Sequence, residues 1–300
     1  LFMMVKLYYG GSMKNAFLIV NCNDYKSTKH LVDNVIDYKS LDEIVIVDNG
    51  SEDLEKKKLA SINKKKVHVI YNDNNDGYSS AINIGAKYLI KKYKKCNLIV
   101  SNSDVVIMSE DDLIKMLEVL HNDDVGLVGP QVLELGSIHR GMKDLSPMMD
   151  FWLTVPVIRN LISDNVYLYR DECYKGDETI VDVISSCFFL ISSDVLEKIN
   201  FMDEAVFLYY EDFILSKKIR NLGLNIVVLN DIKIKHLYSI SVDGIIKNVD
   251  KYKLLKKSQF YYHTTYNNAK RLERTLLRIN AHLGVFVRKL KNFFLNKESS

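Results

Sequence analysis

Short apolar runs closed by polar turns recur along the first half of the chain. Ala16 to Val20 empties into Asn21-Cys22-Asn23-Asp24, and Glu43 to Val47 is closed by Asp48-Asn49-Gly50-Ser51. Val67 to Ile70, Leu98 to Val100 and Val125 to Val128 repeat the pattern. Runs of this length read as strands buried on both faces of a sheet. Between them, apolar residues fall three and four apart: Leu31, Val32, Val35 and Ile36, then Ala81, Ile84, Leu89 and Ile90, then Leu113, Met116, Leu117 and Leu120. This is the spacing of helices with one buried stripe. The Lys-rich tract from Lys56 to Lys66 reads as an exposed basic helix. Five alternations of strand and helix predict an α/β fold, a mostly parallel sheet with helices on both faces. Ligands of such sheets bind beyond the carboxyl ends of the strands, where every one of these polar turns lies.

Composition narrows the picture. With 47% hydrophobic and 26% charged residues among 300, the chain has the make-up of a folded globular protein. Its net charge of +3 is too balanced for a surface built to bind nucleic acid. Cys22, Cys96, Cys173 and Cys187 are scattered without metal-ligand spacing, which fits a reducing, cytoplasmic setting without a disulfide framework. No apolar run approaches the roughly 18 to 20 residues that span a bilayer. Regular structure begins near Ala16, so residues 1–13 are expected to be an N-terminal extension, 14–243 one catalytic domain and 244–300 a helical tail.

Several strand ends carry candidate chemistry. Asp48, with Asn49, Gly50 and Asp53, sets carboxylates where they can accept hydrogen bonds from a ribose or a base. The alternative there is a plain turn, Ser51 capping the next helix and Asp53 in its first turn. Asn102-Ser103-Asp104 follows a buried strand, and Asp104 can hold a hard divalent cation or serve as a turn residue. Asp203, Glu204, Glu211 and Asp212 stand among aromatic and aliphatic side chains, an environment that shifts carboxyl pKa values. The spacing of Phe213, Leu215, Ile219 and Leu222 predicts a helix that ends at Gly223 and has the acids at its positive end. His236 closes the alternating strand Ile232 to Lys235.

In this order the segments resemble the family 2 glycosyltransferases of the GT-A fold, most closely the rhamnosyltransferase-like members that build bacterial surface polysaccharides. The resemblance runs from about Ala16 to Ser241. It implies a nucleotide-binding set of Asn21, Asp48, Asn49, Asp53, Asn83, Gly85 and Asn102. It implies Asp104 and His236 as ligands of Mn2+ or Mg2+, the general base at Asp212, and Glu211, Asp203 and Glu204 around the acceptor. Asn102 stands where the family's DXD element begins with an acid, Met202 where its FDE element has Phe, and Tyr266-Asn267 where an Arg-Asn pair is frequent. The implied reaction is inverting transfer of rhamnose or another hexose from a nucleoside-diphosphate sugar to a saccharide hydroxyl, on an acceptor that can be polyprenyl-linked. A competing NAD(P)-dependent oxidoreductase lacks a GxGxxG after the first strand, where Asn21 to Asp24 stands. An inactive scaffold is disfavoured by the retained Asp104, Asp212 and His236.

The tail adds a partner. From Arg271 to Lys297 there are seven basic residues and one acid, Glu273, while Leu272, Leu276, Ile279, Leu283, Phe286, Leu290 and Phe293 recur three and four apart. Such a helix is expected to hold the protein peripherally on an anionic membrane, the inner face of a bacterial plasma membrane.

Overall fold

The computed structural model describes residues 13–298 apart from 63, 108, 155–157, 159–165 and 238–247. The expected extension up to residue 12 and the expected boundary at 243 lie outside the described residues. All five predicted strands form, and they outrun their apolar cores: β1 (Lys14–Asn21), β2 (Glu43–Asn49), β3 (Val67–Asn72), β4 (Cys96–Asn102) and, after the two-residue β5 (Val105–Val106), β6 (Val125–Glu134). The polar end residues stay in strand because parallel partners hold them at one level. Asn21 lies opposite Asp48, Asp48 opposite Tyr71, and Asn102 opposite Val20.

Further strands are β7 (Ser137–His139), β8 (Glu178–Ile180), β9 (Phe188–Ser192) and β10 (Asn225–His236). The sheet order is β3-β2-β1-β4-β9-β6-β10-β5, with β7 on β6 and β8 on β10. The β3-β2-β1-β4 half and the β6–β10 pair are parallel, and β9 runs antiparallel between them. Nothing in the apolar spacing announces β9. It is apolar on both faces, Phe188 and Leu190 toward one core and Phe189 and Ile191 toward the other.

Helices α1 (Tyr25–Val35) and α4 (Glu110–Leu120) cover one face through Leu31, Val32, Val35, Leu113 and Met116, packed with Phe17, Ile19 and Ile46. On the other face α3 (Tyr78–Tyr93) buries Ala81, Ile82, Ala86 and Leu89 against Leu18, Val45 and Val47. Alternate residues of β1 thus feed opposite cores, as a strand's twofold period requires. α2 (Asp53–Leu59) is shorter than the basic tract predicts, because Leu59 and Ile62 tuck inward and a turn from Lys64 to Val67 delivers β3. Further α-helices among the described residues are α5 (Pro147–Leu153), α6 (Ser193–Lys198), α7 (Glu211–Asn221), α8 (Asn248–Thr265) and α9 (Arg271–Glu298). α7 ends as its pattern predicts, with Gly223 just beyond at φ +78.

Candidate active site

At the carboxyl ends of β1 and β2 a buried polar cluster forms. Asp48 is fully buried, and its Oδ1 accepts from Asn21 Nδ2 at 2.8 Å and from the Ser51 hydroxyl. Ser51 also accepts from the Asn23 N–H at 2.7 Å, so it secures this cluster and does not cap α2, whose N-cap is Glu52. Asp48 Oδ2 is buried with no hydrogen-bond partner among the described residues, which leaves it with acceptor capacity unused by them. Asp53 is exposed in the first turn of α2 and joins none of these bonds.

Three other residues that the resemblance assigns to the nucleotide brace the site. Asn49 Nδ2 donates to Asn75 Oδ1 at 2.9 Å and to the Gly77 carbonyl at 3.1 Å, tying two strand-end turns together. Gly50, at φ +75, lies so close to this turn that a Cβ would stand 2.4 Å from Asn75 N. Asn83 donates to the Met202 carbonyl at 2.9 Å and to Glu204 Oε1 at 2.7 Å, and accepts from the Met202 N–H at 2.9 Å. Gly85 lets α3 settle on the sheet, where a Cβ would come within 2.2 Å of Leu18 Cδ1.

Asn102, Asp104 and His236 meet beyond β4. His236 ends β10 and pairs with Val105, which places its Nε2 3.2 Å from Asp104 Oδ1 and 3.4 Å from Asn102 Nδ2. Glu134 Oε1, at the end of β6, lies 3.6 Å from His236 Nδ1. Burial alone depresses the imidazole pKa, but the hydrogen bond and charge of Asp104, backed by Glu134, raise it on balance. Among the described residues no three His, Cys, Asp or Glu side chains form a metal-binding group. Asn102 Oδ1 is nevertheless buried and without a hydrogen-bond partner among the described residues. An amide oxygen, a carboxylate and an imidazole are donor types that suit a divalent cation.

The acidic segment completes the site. Tyr209 and Tyr210 take left-handed backbone angles, φ 70 and 65, and aim the chain into α7. Glu211 and Asp212 occupy its first turn, and Asp212 Oδ1 accepts from the Phe213 N–H at 2.9 Å. Burial pushes both carboxyls above the ordinary range, and the charge of Asp212 pushes Glu211 further. The buried Cys187 thiol, pushed up to about 12 chiefly by burial, also responds to the charges of Glu134, Asp104 and Asp212. Hydrogen bonds tie the neighbouring segments together: the Asn102 N–H donates to the Cys187 carbonyl at 2.8 Å, the Tyr78 hydroxyl to the Ser186 carbonyl at 2.8 Å, and the Tyr78 N–H to the Phe207 carbonyl, just before the acidic pair, at 3.2 Å.

Sequence reasoning does not single out Glu134 or Tyr261, and it marks Tyr266 only as a departure from the family's Arg-Asn pair. Asp203 Oδ2 accepts from the hydroxyls of Tyr261 at 2.8 Å and Tyr266 at 2.5 Å. The Tyr266-Asn267 pair is thus tied inward, Asn267 Nδ2 donating to the Leu145 carbonyl at 2.7 Å. Besides the Tyr266-Asn267 motif, the aromatic block from Phe260 to Tyr262 is the sequence signal that points there.

Solved structures share this architecture. The mannosyltransferase PcManGT of Pyrobaculum calidifontis, in complex with GDP-Man and Mn2+, superposes with a TM-score of 0.56 at 13% identity, covering 90% of this chain and 69% of that one. S. aureus TarS 1-349 gives 0.50 at 14% identity over 92% of this chain and 80% of that one. At such identities the likeness speaks for the fold, which is GT-A. Among curated proteins, the dTDP-rhamnosyl transferase RfbF of Shigella flexneri is 27% identical over 207 residues, 67% of this chain. The hexosyltransferase Agl10 of low-salt glycan biosynthesis in Haloferax volcanii is 25% identical over 212 residues, 70% of this chain. In both cases the match spans 63% of the relative's length. The pattern of Glycosyl transferase family 2 matches residues 16–199, from β1 through α6, and so covers the ends of β1, β2, β4 and β6, while Asp203, the Glu211–Asp212 pair and His236 follow it. The chain belongs to that family.

Proposed function

We propose that the protein is an inverting hexosyltransferase that moves a sugar, rhamnose ahead of other hexoses, from a nucleoside diphosphate to a saccharide hydroxyl. The observation that carries this reading is the buried Asp48 carboxylate at the end of β2, whose Oδ2 has no hydrogen-bond partner among the described residues, in a chain whose residues 16–199 match Glycosyl transferase family 2. Asp48 Oδ2 accepts from the nucleoside, with Asn21 fixing the carboxylate. Asn102, Asp104 and His236 would hold Mn2+ or Mg2+, which when bound neutralises the diphosphate leaving group. Asp212 takes the proton of the acceptor hydroxyl as that oxygen bonds to the anomeric carbon. The bond from that carbon to the diphosphate oxygen breaks on the opposite side, and its electron pair leaves with the diphosphate. In-line displacement inverts the configuration. Glu211 and Asp203 frame the acceptor, and Glu204 holds Asn83 beside them. Domain limits of 14–243 for the catalytic unit and 244–300 for the tail belong to the same reading.

A membrane placement is supported by α9. Leu277 is buried, and Arg288 turns inward with its guanidinium carbon 3.6 Å from the Tyr252 ring centroid. Leu272, Ile279, Leu283, Phe286, Val287 and Leu290 stay exposed, while Arg271, Arg278 and Lys289 form an edge beside them. Such a stripe with a basic edge suits the surface of an anionic bilayer and a polyprenyl-linked acceptor. Among the described residues no helix is long and apolar enough to cross a membrane.

A thermal-shift panel tests the reading. Thymidine diphosphate with Mn2+ should stabilise the chain, excess EDTA should abolish the shift, and Asp104→Ala should raise the Mn2+ concentration required. Stabilisation by uridine but not thymidine diphosphate overturns the rhamnose preference. Stabilisation by NADH alone overturns the reaction class.

A further inference from the structure

The end of α8 lies beyond the segment that matches the family, yet it touches the acids of the site at several points. Asp203 accepts three hydrogen bonds: Tyr261 at 2.8 Å and Tyr266 at 2.5 Å on Oδ2, and the Ala205 N–H at 2.9 Å on Oδ1. Burial opposes the charge of Asp203, but these donors hold its carboxyl below the ordinary carboxylate value. The tyrosines are pushed the other way by burial and by Asp203, so both hydroxyls remain donors. Met202, beside Asp203, is pinned on both its N–H and its carbonyl by Asn83. The same turn of α8 is itself anchored. Tyr262 donates to Asp144 at 2.6 Å, and Asp144 pairs with Arg220 of α7 at 2.6 Å. His263 Nε2 lies 2.7 Å from Asp150, which accepts from Tyr210 at 2.5 Å, the residue immediately before Glu211.

We propose that Tyr261 and Tyr266 are positioning residues that fix the orientation of the Asp203 carboxylate for the acceptor. Neither touches the reacting atoms; each acts through Asp203. A carboxylate with two hydroxyl donors on one oxygen cannot rotate without breaking both bonds, which leaves Oδ1 as the oxygen with capacity for an acceptor hydroxyl. The acceptor role of Asp203 rests on the proposed transferase reading. The fixing of its carboxylate by the two tyrosines does not.

The test uses the full chain as wild type, Asp203→Asn, the double variant Tyr261→Phe/Tyr266→Phe and the triple variant. Carbon-detected NMR of aspartate-labelled protein follows the Asp203 carboxyl, identified by its loss in Asp203→Asn. Its titration should move upward in the double variant. Transfer from dTDP-rhamnose with Mn2+ to an octyl glycoside probe should show an acceptor KM raised about tenfold in the double variant, with kcat and thymidine-diphosphate binding little changed. The triple variant should be no worse than Asp203→Asn, because residues acting through one carboxylate are not additive. An unmoved Asp203 titration, or losses that add in the triple variant, overturns the positioning role. If Asp203→Asn leaves the acceptor KM unchanged while the titration still moves, the acceptor reading of Asp203 fails and the tyrosine clamp stands.

Discussion

Replacing Asp48 with Asn probes the carboxylate oxygen at the β2 end that no donor among the described residues claims. In the native site Oδ1 holds Asn21 and Ser51, and Oδ2 is buried without a hydrogen-bond partner among the described residues. In the variant the amide oxygen takes the place of Oδ1 and keeps both donors, while an NH2 group replaces Oδ2. Folding loses no hydrogen bond, and the cost of a buried charge disappears, so thermal stability should hold or rise. Binding loses a charged acceptor and sets a donor against the ligand's own donor. A hydrogen bond to a charged group is worth about 1.5–3 kcal/mol, which is about 10- to 150-fold in affinity. Isothermal titration with thymidine diphosphate and Mn2+, beside thermal melts of both proteins, reads the two effects separately. Affinity within about threefold of wild type would refute a ligand-facing role for Oδ2. A large fall in melting temperature would refute the claim that Oδ1 alone supports the fold.

Asp212→Asn should cut transfer to below about a tenth of wild type while leaving nucleotide binding intact, since a general base typically contributes 10²- to 10⁴-fold; turnover above that level removes it from the base role. Because burial raises the Glu211–Asp212 pair, the transfer rate should climb with pH through a range above that of ordinary carboxylates, and a profile already flat there would contradict it. Stability has the opposite sign: the folded chain binds more protons than the unfolded one between the ordinary and the raised values, so melting temperature falls as pH rises through that window. Glu211→Gln should flatten this slope in melts taken across it, and an unchanged slope sinks the assignment. Gly85→Ala should lose about 1–3 kcal/mol through overpacking, seen as a melting temperature lowered by several degrees, because its Cβ would meet Leu18 Cδ1 at 2.2 Å and Val47 Cγ2 at 3.0 Å. An unshifted melt would show that α3 can move away from the sheet.

The order of strands and helices up to β6 was legible in the residues, because a twofold or 3.6-fold apolar period depends only on near neighbours and on which face is covered. So was the placement of polar turns at the carboxyl ends of β1, β2 and β4, and of Glu211 and Asp212 at a helix start. Strand ends were less legible, since Asn21, Asp48 and Asn102 are polar yet remain in the ladder through their partners on neighbouring strands. β9 carried no periodic signal because an insertion apolar on both faces resembles any buried run.

The division of labour among the polar residues was decided by tertiary structure alone. Asn21 meets Asp48 across 27 positions, Asn83 meets Met202 across 119, and Asn102 meets His236 across 134. Residue type says that an Asn can donate or accept; only the register of distant strands says to which atom. That register leaves Asp48 Oδ2 and Asn102 Oδ1 without a hydrogen-bond partner among the described residues while it occupies Asn49 and Asn83 in bracing turns. It also carries Tyr261 and Tyr266 from the far end of the chain onto Asp203. The sequence by itself determined the sheet's core and the line of polar strand ends. Which of those side chains can face a ligand depends on contacts that close only when the whole chain has packed.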